Sequence, residues 1–317
     1  MEPSSTIANQ PSGWKTRLAY AIIYLVWGST FLAIRVGVSE VPPFLYAAMR
    51  FLVAGLVLFL WMVAQKEPWP SGRQWMSAFL LALLIFVFDY GLLFWAEQRI
   101  PSGIAAVMMA TIPVFMTLSE IIFLRTQTLS VRLAVALLVG IAGVAVLMNR
   151  SLDLGGIPID RAGAVALLFA SMSWSVASVL TRKLPLPGSK VMSSGAQMLA
   201  GGLLLTLAAA ALGEFRNFHP TVVSRSAWLS LVYLIVAGSI IGFTAYIWLI
   251  HRDSPTKVGT YAYVNPVVAV LIGYILGGER LGLRTILGTF FVLVSVVMIT
   301  TAGAKRAPVA AAVEESA

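Results

Sequence analysis

Long apolar runs separated by short polar, glycine or proline punctuation fill almost the whole chain. Each run approaches the roughly 20 helical residues needed to cross a hydrocarbon core of ~30 Å. The pattern predicts ten helices, over residues 17–38, 43–64, 74–96, 101–123, 130–148, 160–181, 190–211, 227–250, 255–277 and 282–302. Lys15 and Arg17 give the first run the charged start of a signal peptide, but its apolar stretch is too long and no small-residue cleavage site follows. It is therefore expected to stay as a helix. Residues 1–16 and 303–317 lack apolar periodicity and are expected to be disordered tails.

Composition sharpens this picture. The 317 residues are 59% hydrophobic and 11% charged, with a mean hydropathy of +0.89, far from the roughly 45–50% and ~25% of a soluble domain. Ten spans would leave no length for a folded catalytic module outside the membrane. Cysteine is absent and only His219 and His251 occur, which excludes disulfides and thiolate metal sites and argues against a histidine-rich metal centre. No cofactor is expected. The net charge of +9 is spread along short connections rather than gathered in a patch, so it points to anionic lipid and not to nucleic acid.

Cytoplasmic loops carry the excess of Lys and Arg. With the N-terminus inside, Lys15, Arg17, Lys66, Arg73, Arg125, Arg132, Arg182, Lys183, Lys190, Arg252, Lys257, Lys305 and Arg306 fall inside. Arg35, Arg99, Arg150, Arg161, Arg216, Arg225, Arg280 and Arg284 fall outside. The balance predicts both termini in the cytoplasm.

The second half of the chain repeats the first. At an offset of 147, Trp27 meets Trp174, Arg35 meets Arg182, and Ala54-Gly55-Leu56 partly matches Gly201-Gly202-Leu203. At 153, Trp75 meets Trp228, Trp95 meets Trp248, Arg99 meets Arg252 and Pro113 meets Pro266. At 152, Leu129-Ser130-Val131-Arg132 lies over Leu281-Gly282-Leu283-Arg284. Three matched pairs drawn from nine tryptophans argue for duplication. The expected fold is an all-α integral membrane protein of ten transmembrane helices. Residues 17–148 and 160–302 form two five-helix repeats joined by a linker at 149–159. An odd number of spans per repeat forces the two to run in opposite directions, and inverted repeats place a transporter's substrate where the halves meet, near the midplane.

Trp27-Gly28-Ser29-Thr30-Phe31, Arg50-Phe51 with Ala54-Gly55, Pro101-Ser102-Gly103-Ile104-Ala105-Ala106 with Pro113, and Tyr263-Val264-Asn265-Pro266-Val267 with Gly278-Glu279 resemble the EamA-type branch of the drug/metabolite transporter superfamily. Within it the chain is most similar to bacterial inner-membrane exporters of amino acids or other metabolites. The resemblance covers essentially everything between the tails. It implies two inverted five-helix repeats around a central cavity, alternating access and efflux of a small molecule. One departure is that the first-repeat position matching Glu279 is Gln127.

Charges inside a bilayer are costly, so Arg50, Asp89 and Glu120 are candidates for charge pairing or coupling. Arg50 lies eight residues from Pro42 and Asp89 ten from Arg99, depths of ~12 and ~15 Å from one side at the helical rise. Their agreement predicts an Arg50–Asp89 pair, serving either as a fixed strut between the second and third helices or as a sensor of proton or substrate charge. Glu120 sits five residues from Arg125, and either snorkels and pairs there or takes part in coupling. Pro113 and Pro266 remove a helix hydrogen bond in matching helices and are candidate hinges.

Aromatic residues speak to the substrate. Trp27 and Trp174 lie too deep for an interfacial belt, the role that suits Trp14, Trp69 and Trp75. With Thr30, Tyr90, Ser178, Tyr246, Tyr263 and Asn265 they are expected to line the substrate cavity, core packing being the alternative for each ring. Such a cavity offers π-faces and hydrogen-bonding groups but few charges, which suits neutral or aromatic amino acids. Multidrug or quaternary-cation efflux is the nearest rival. An intramembrane enzyme is disfavoured because H-E-x-x-H and G-x-S-x-G are absent. The last helix of each repeat is nearly all aliphatic and is expected at the periphery, facing lipid or another copy. Oligomeric state is left open.

Overall fold

The computed structural model describes residues 13–119, 121–122, 130–148, 159–181, 183–250 and 261–303. The described residues form ten helical rods and no strand. They are α1 (Gly13–Val38), α2 (Pro43–Ala64), α3 (Gly72–Glu97), α4 (Ser102–Met109 and Ile112–Ser119), α5 (Val131–Met148), α6 (Arg161–Leu180), α7 (Lys190–Ala211), α8 (Arg225–Tyr233, Leu234–Ile241 and Gly242–Ile250), α9 (Tyr261–Ile275) and α10 (Leu283–Gly303). Among them α1, α2, α3, α6, α7 and α8 contain stretches long and apolar enough to cross a membrane, whereas the apolar stretches of α4, α5, α9 and α10 are shorter.

Local chemistry sets the boundaries. Ser71 and Gln74 form a capping box at the start of α3, and Asp160, Ser189 and Ser224 cap α6, α7 and α8 with side-chain oxygens. Pro43 opens α2, where its missing N–H costs nothing.

Two details differ from the pattern read off the sequence. The fourth helix breaks at Ala110 and Thr111, just ahead of Pro113, whose ring nitrogen cannot return a bond to Met109. The Thr111 hydroxyl donates instead to the Met108 carbonyl at 2.7 Å. The third and eighth helices each widen midway into a π-helical segment, Leu83–Gly91 in α3 and Leu234–Ile241 in α8.

The duplication reappears in the packing. α2 lies against α7 and α5 against α10, each rod beside its own repeat mate. Further contacts come in exchanged pairs: α1 on α9 and α6 on α4, α1 on α8 and α6 on α3, α2 on α8 and α7 on α3. Individual glycines obey the same exchange. A Cβ on Gly55 would sit 2.6 Å from the Leu199 backbone nitrogen, and one on Gly202 would sit 2.7 Å from that of Leu52. The two contacts interconvert under the 147-residue offset. Small residues allow close helix approach where lipid supplies no hydrophobic drive between helices.

The end where α2, α4 and α8 begin, called here the far end, is stitched across the repeats by carboxylates. Glu214 accepts from the backbone N–H groups of Phe44 (3.4 Å) and Leu45 (2.8 Å), supplying the cap that Pro42 cannot give α2. Burial pushes its carboxyl above the usual range although both N–H bonds oppose this. Glu40 accepts from the N–H and the hydroxyl of Ser224, each at 2.6 Å, and these bonds hold its carboxyl below the usual range. Because the folded value is the lower one, this stabilisation is present above the unfolded carboxyl range and disappears as the pH falls through the folded value. Glu40→Gln is therefore expected to lower Tm at pH 7 by more than it does near pH 3. Melting parent and variant at both values checks this, and an equal deficit at both would refute it.

Candidate functional site

A central cavity of about 340 Å³ lies between the repeats, with walls supplied by α1, α2, α3, α4, α6, α7, α8 and α9. Trp27, Thr30, Tyr90, Trp174, Ser178, Tyr246 and Asn265 all line it, as do Arg50, Asp89 and Pro266. The side chain of Tyr263, and Glu120 altogether, lie outside the described residues. Pro113 lies beyond the break in α4 and is not among the lining residues.

The aromatic lining forms two groups. Trp27 packs against Tyr246 and, edge-on, against Tyr261, with ring centroids 5.3 Å apart in both cases. Across the cavity Tyr90 meets Trp174 edge-on at 6.1 Å and Phe51 at 4.7 Å. Trp27 is held by its indole N–H, which donates to the Gly238 carbonyl at 3.1 Å. Ser173, beside Trp174, donates to the Leu84 carbonyl at 2.8 Å. Both acceptors belong to the π segments, where the wider turn leaves carbonyls open to side-chain donors. Thr30 and Ser178 return their hydroxyls to the carbonyls of Trp27 and Trp174, so they present mainly their carbon faces. With its amide turned to donate, Asn265 reaches the Ile23 and Tyr24 carbonyls at 3.2 Å and ties α9 to α1.

Arg50 and Asp89 do not form the pair that their matched depths predict. No Asp89 oxygen lies within 4.0 Å of an Arg50 nitrogen. Arg50 Nε donates to Ser239 Oγ at 3.0 Å, and the guanidinium lies over the rings of Phe51, Tyr90 and Phe94 at 4.7, 5.2 and 6.0 Å. Depth along two helices fixes height but not direction around the axis. Asp89 falls inside a π segment, whose wider turn alters the face each residue takes.

Reading for charges and aromatics also passes over Ser194, Gln197 and Ser239, which line the cavity. Ser194 and Gln197 were visible as polar positions three apart within an apolar helix, one face by helical spacing.

Beyond the cavity the far end closes around Glu279. Its Oε1 accepts from Ser102 N (2.6 Å) and Ser102 Oγ (2.7 Å), and its Oε2 from Gly103 N (3.0 Å), at the N-terminus of α4. A negative charge is favoured at that position by the orphan N–H groups and the helix dipole. Arg35 Nε stands 3.7 Å from the same carboxylate while Nη1 donates to the carbonyls of Glu97 and Ile100. A Cβ on Gly273 would approach Glu279 Oε2 to 2.6 Å. Glycine there makes room for the latch.

Among the described residues, an all-helical bundle of two related halves encloses a central cavity, an architecture that suits a membrane transporter. The comparisons specify the family. The model of the EamA-like transporter family matches residues 15–149 and again 161–301, and the chain belongs to that family. It is 38% identical over 280 residues to the inner membrane transporter YedA of Escherichia coli, covering 88% of each chain. It is 29% identical to the protein PecM of Dickeya dadantii over 276 residues, covering 86% of this chain and 88% of that one. The transporter YoaV of Bacillus subtilis is 23% identical over 296 residues, covering 92% and 99%. A solved crystal structure of a protein 23% identical in sequence overlays with a TM-score of 0.60, covering 92% of this chain and 98% of that one, and shows the same fold.

Proposed function

We propose that this transporter exports small amphiphilic metabolites, neutral and aromatic amino acids above all, by alternating access. In this reading ten spans form two inverted five-helix repeats, residues 17–148 and 160–302, in a bacterial inner membrane with both termini cytoplasmic. The membrane assignment rests on the name of its relative YedA, and the topology on the loop charges and the duplication. The observation that carries the reading is that repeat mates Trp27 and Trp174 reach one cavity from opposite repeats. A substrate stacked there touches both halves, so rocking one half against the other changes the side to which it is exposed. Pro113 and Pro266 serve as hinges in this scheme, and Glu120 is a candidate for coupling. Export rather than uptake follows from the family resemblance.

Efflux of organic cations is a second reading, favoured by Asp89 beside an aromatic wall. Flux into reconstituted vesicles, with and without an imposed pH gradient, separates the two. Saturable flux of L-phenylalanine is expected, and a preference for tetraethylammonium would replace this reading with the second. Trp174→Ala is expected to raise the half-saturating concentration about two- to thirteenfold, the range of an aromatic contact of about 0.5–1.5 kcal/mol. Abundance should not change. Unaltered saturation in the variant would remove Trp174 from the site.

A further inference from the structure

Two opposite charges share the central cavity and leave each other alone. Arg50 is 3% exposed and Asp89 2%. Arg50 Nη1 and Asp89 Oδ1, each with almost no accessible surface of its own, lack a hydrogen-bond partner among the described residues, although both residues line the cavity. Burying a charge without compensation is expensive, and burying two within one cavity without joining them is more so.

The surroundings hold them apart. Ser239 Oγ takes Arg50 Nε, and the rings of Phe51 and Tyr90 lie against the guanidinium. A Cβ on Gly238 would come within 3.2 Å of Arg50 Nη2, so glycine there makes room for the guanidinium. Fixed in this way, the guanidinium keeps Nη1 without a partner among the described residues. Asp89 sits in the neighbouring π segment of α3 with one carboxylate oxygen unused. Tyr90, next in sequence to Asp89 and 5.2 Å from the guanidinium carbon, connects the two.

Two unsatisfied poles of opposite sign on a wall otherwise made of aromatic, aliphatic and small polar residues suit a zwitterion with an apolar body. Resting on the transport reading above, we infer that Arg50 and Asp89 are the two poles of a head-group subsite, Arg50 taking the substrate carboxylate and Asp89 its ammonium, with the side chain against Trp27 and Trp174. The bound zwitterion supplies each buried charge with the counter-charge that the protein withholds. Molecules bearing a single charge leave one pole unsatisfied and are rejected, because a site built to bond a group penalises its absence.

Three ligands with the same ring test this: L-phenylalanine, phenethylamine, which lacks the carboxylate, and 3-phenylpropanoate, which lacks the ammonium. Binding to the purified full chain is followed by tryptophan fluorescence. The parent is expected to bind phenylalanine about 30-fold more tightly than either analogue, the range of a lost charged hydrogen bond. Asp89→Asn should erase the preference for phenylalanine over 3-phenylpropanoate while keeping that over phenethylamine. Arg50→Gln should do the reverse. Equal binding of either analogue by the parent, no binding of any of the three, or loss of both preferences in each variant would overturn the assignment. Where the variants fail to fold, the parent's ranking of the three ligands decides alone. Counterflow of labelled phenylalanine in vesicles from the same preparation separates the two readings. Ranked binding without flux removes transport and keeps the subsite; flux without ranking removes the subsite and keeps transport.

Discussion

Replacing Gly55 and Gly202 together by leucine should empty the membrane of folded protein. A Cβ alone at either position meets backbone nitrogen at 2.6–2.7 Å on the facing helix, and backbone cannot rotate aside as a side-chain tip can. α2 and α7 would have to separate along the seam that joins the two repeats. Overpacking costs about 1–3 kcal/mol per site and occasionally more. At the upper end, two such sites remove roughly 6 kcal/mol from the ~5–15 kcal/mol that holds a typical native state. The expected readouts are loss of the monodisperse peak in size-exclusion chromatography and, for either single variant, a clearly lower Tm in detergent. Gly72→Ala is the control, since nothing lies within 4 Å of the place its methyl would take and it opens a helix. It should stay within ~0.5 kcal/mol of the parent. A double variant as stable as that control would show that the seam tolerates separation.

Glu279→Gln should release the far end. The substitution keeps the shape but removes the charge that faces Arg35, and it puts an amide where Ser102 and Gly103 point their donors. Loss of hydrogen bonds to a charged group costs about 1.5–3 kcal/mol. The ion pair adds little, because Arg35 is 36% exposed. If this latch holds the far end shut, opening becomes at least about tenfold more frequent, one decade per ~1.4 kcal/mol. The chain contains no cysteine, so a single Ala106→Cys on the cavity wall gives an unambiguous reporter. A bulky maleimide applied from the far end should label it about tenfold faster when Glu279→Gln is present. Equal rates in both backgrounds would mean that other contacts hold this end closed.

The rods were legible in the sequence because each apolar run has its own length and punctuation, and the caps Ser71, Asp160, Ser189 and Ser224 sit where those runs begin. The repeat was legible because tryptophan is rare enough to align. The π segments were not, since one surplus residue in nine leaves no periodicity to detect. That single omission also explains why matched depths pair Asp89 with Arg50 in the sequence and not in the fold: height can be counted from the helix ends, but the direction of the side chain depends on a turn that the pattern does not encode. Glu279 stood out only as part of a family motif, because its partners Ser102 and Gly103 lie more than 170 residues away in sequence. Glu214 lies in the connection between the seventh and eighth predicted helices, and no sequence pattern ties it to the uncapped start of α2, 169 residues away.

The two π segments have a geometric corollary. Each holds one residue more than an α-helix of the same rise would, and a spare residue can be passed along a helix without breaking it at either end. Passing that residue along from Leu83–Gly91 would turn only the stretch of α3 it crosses, by about 100°, and leave the rest of the helix in register. Asp89 would then exchange its place on the wall with a neighbour. The same slip in Leu234–Ile241 would carry Ser239 out from beneath Arg50 and withdraw the Gly238 carbonyl from Trp27. One residue of slack in each repeat is thus enough to re-address the charged and aromatic groups of the cavity while the stitched ends of the helices stay where they are.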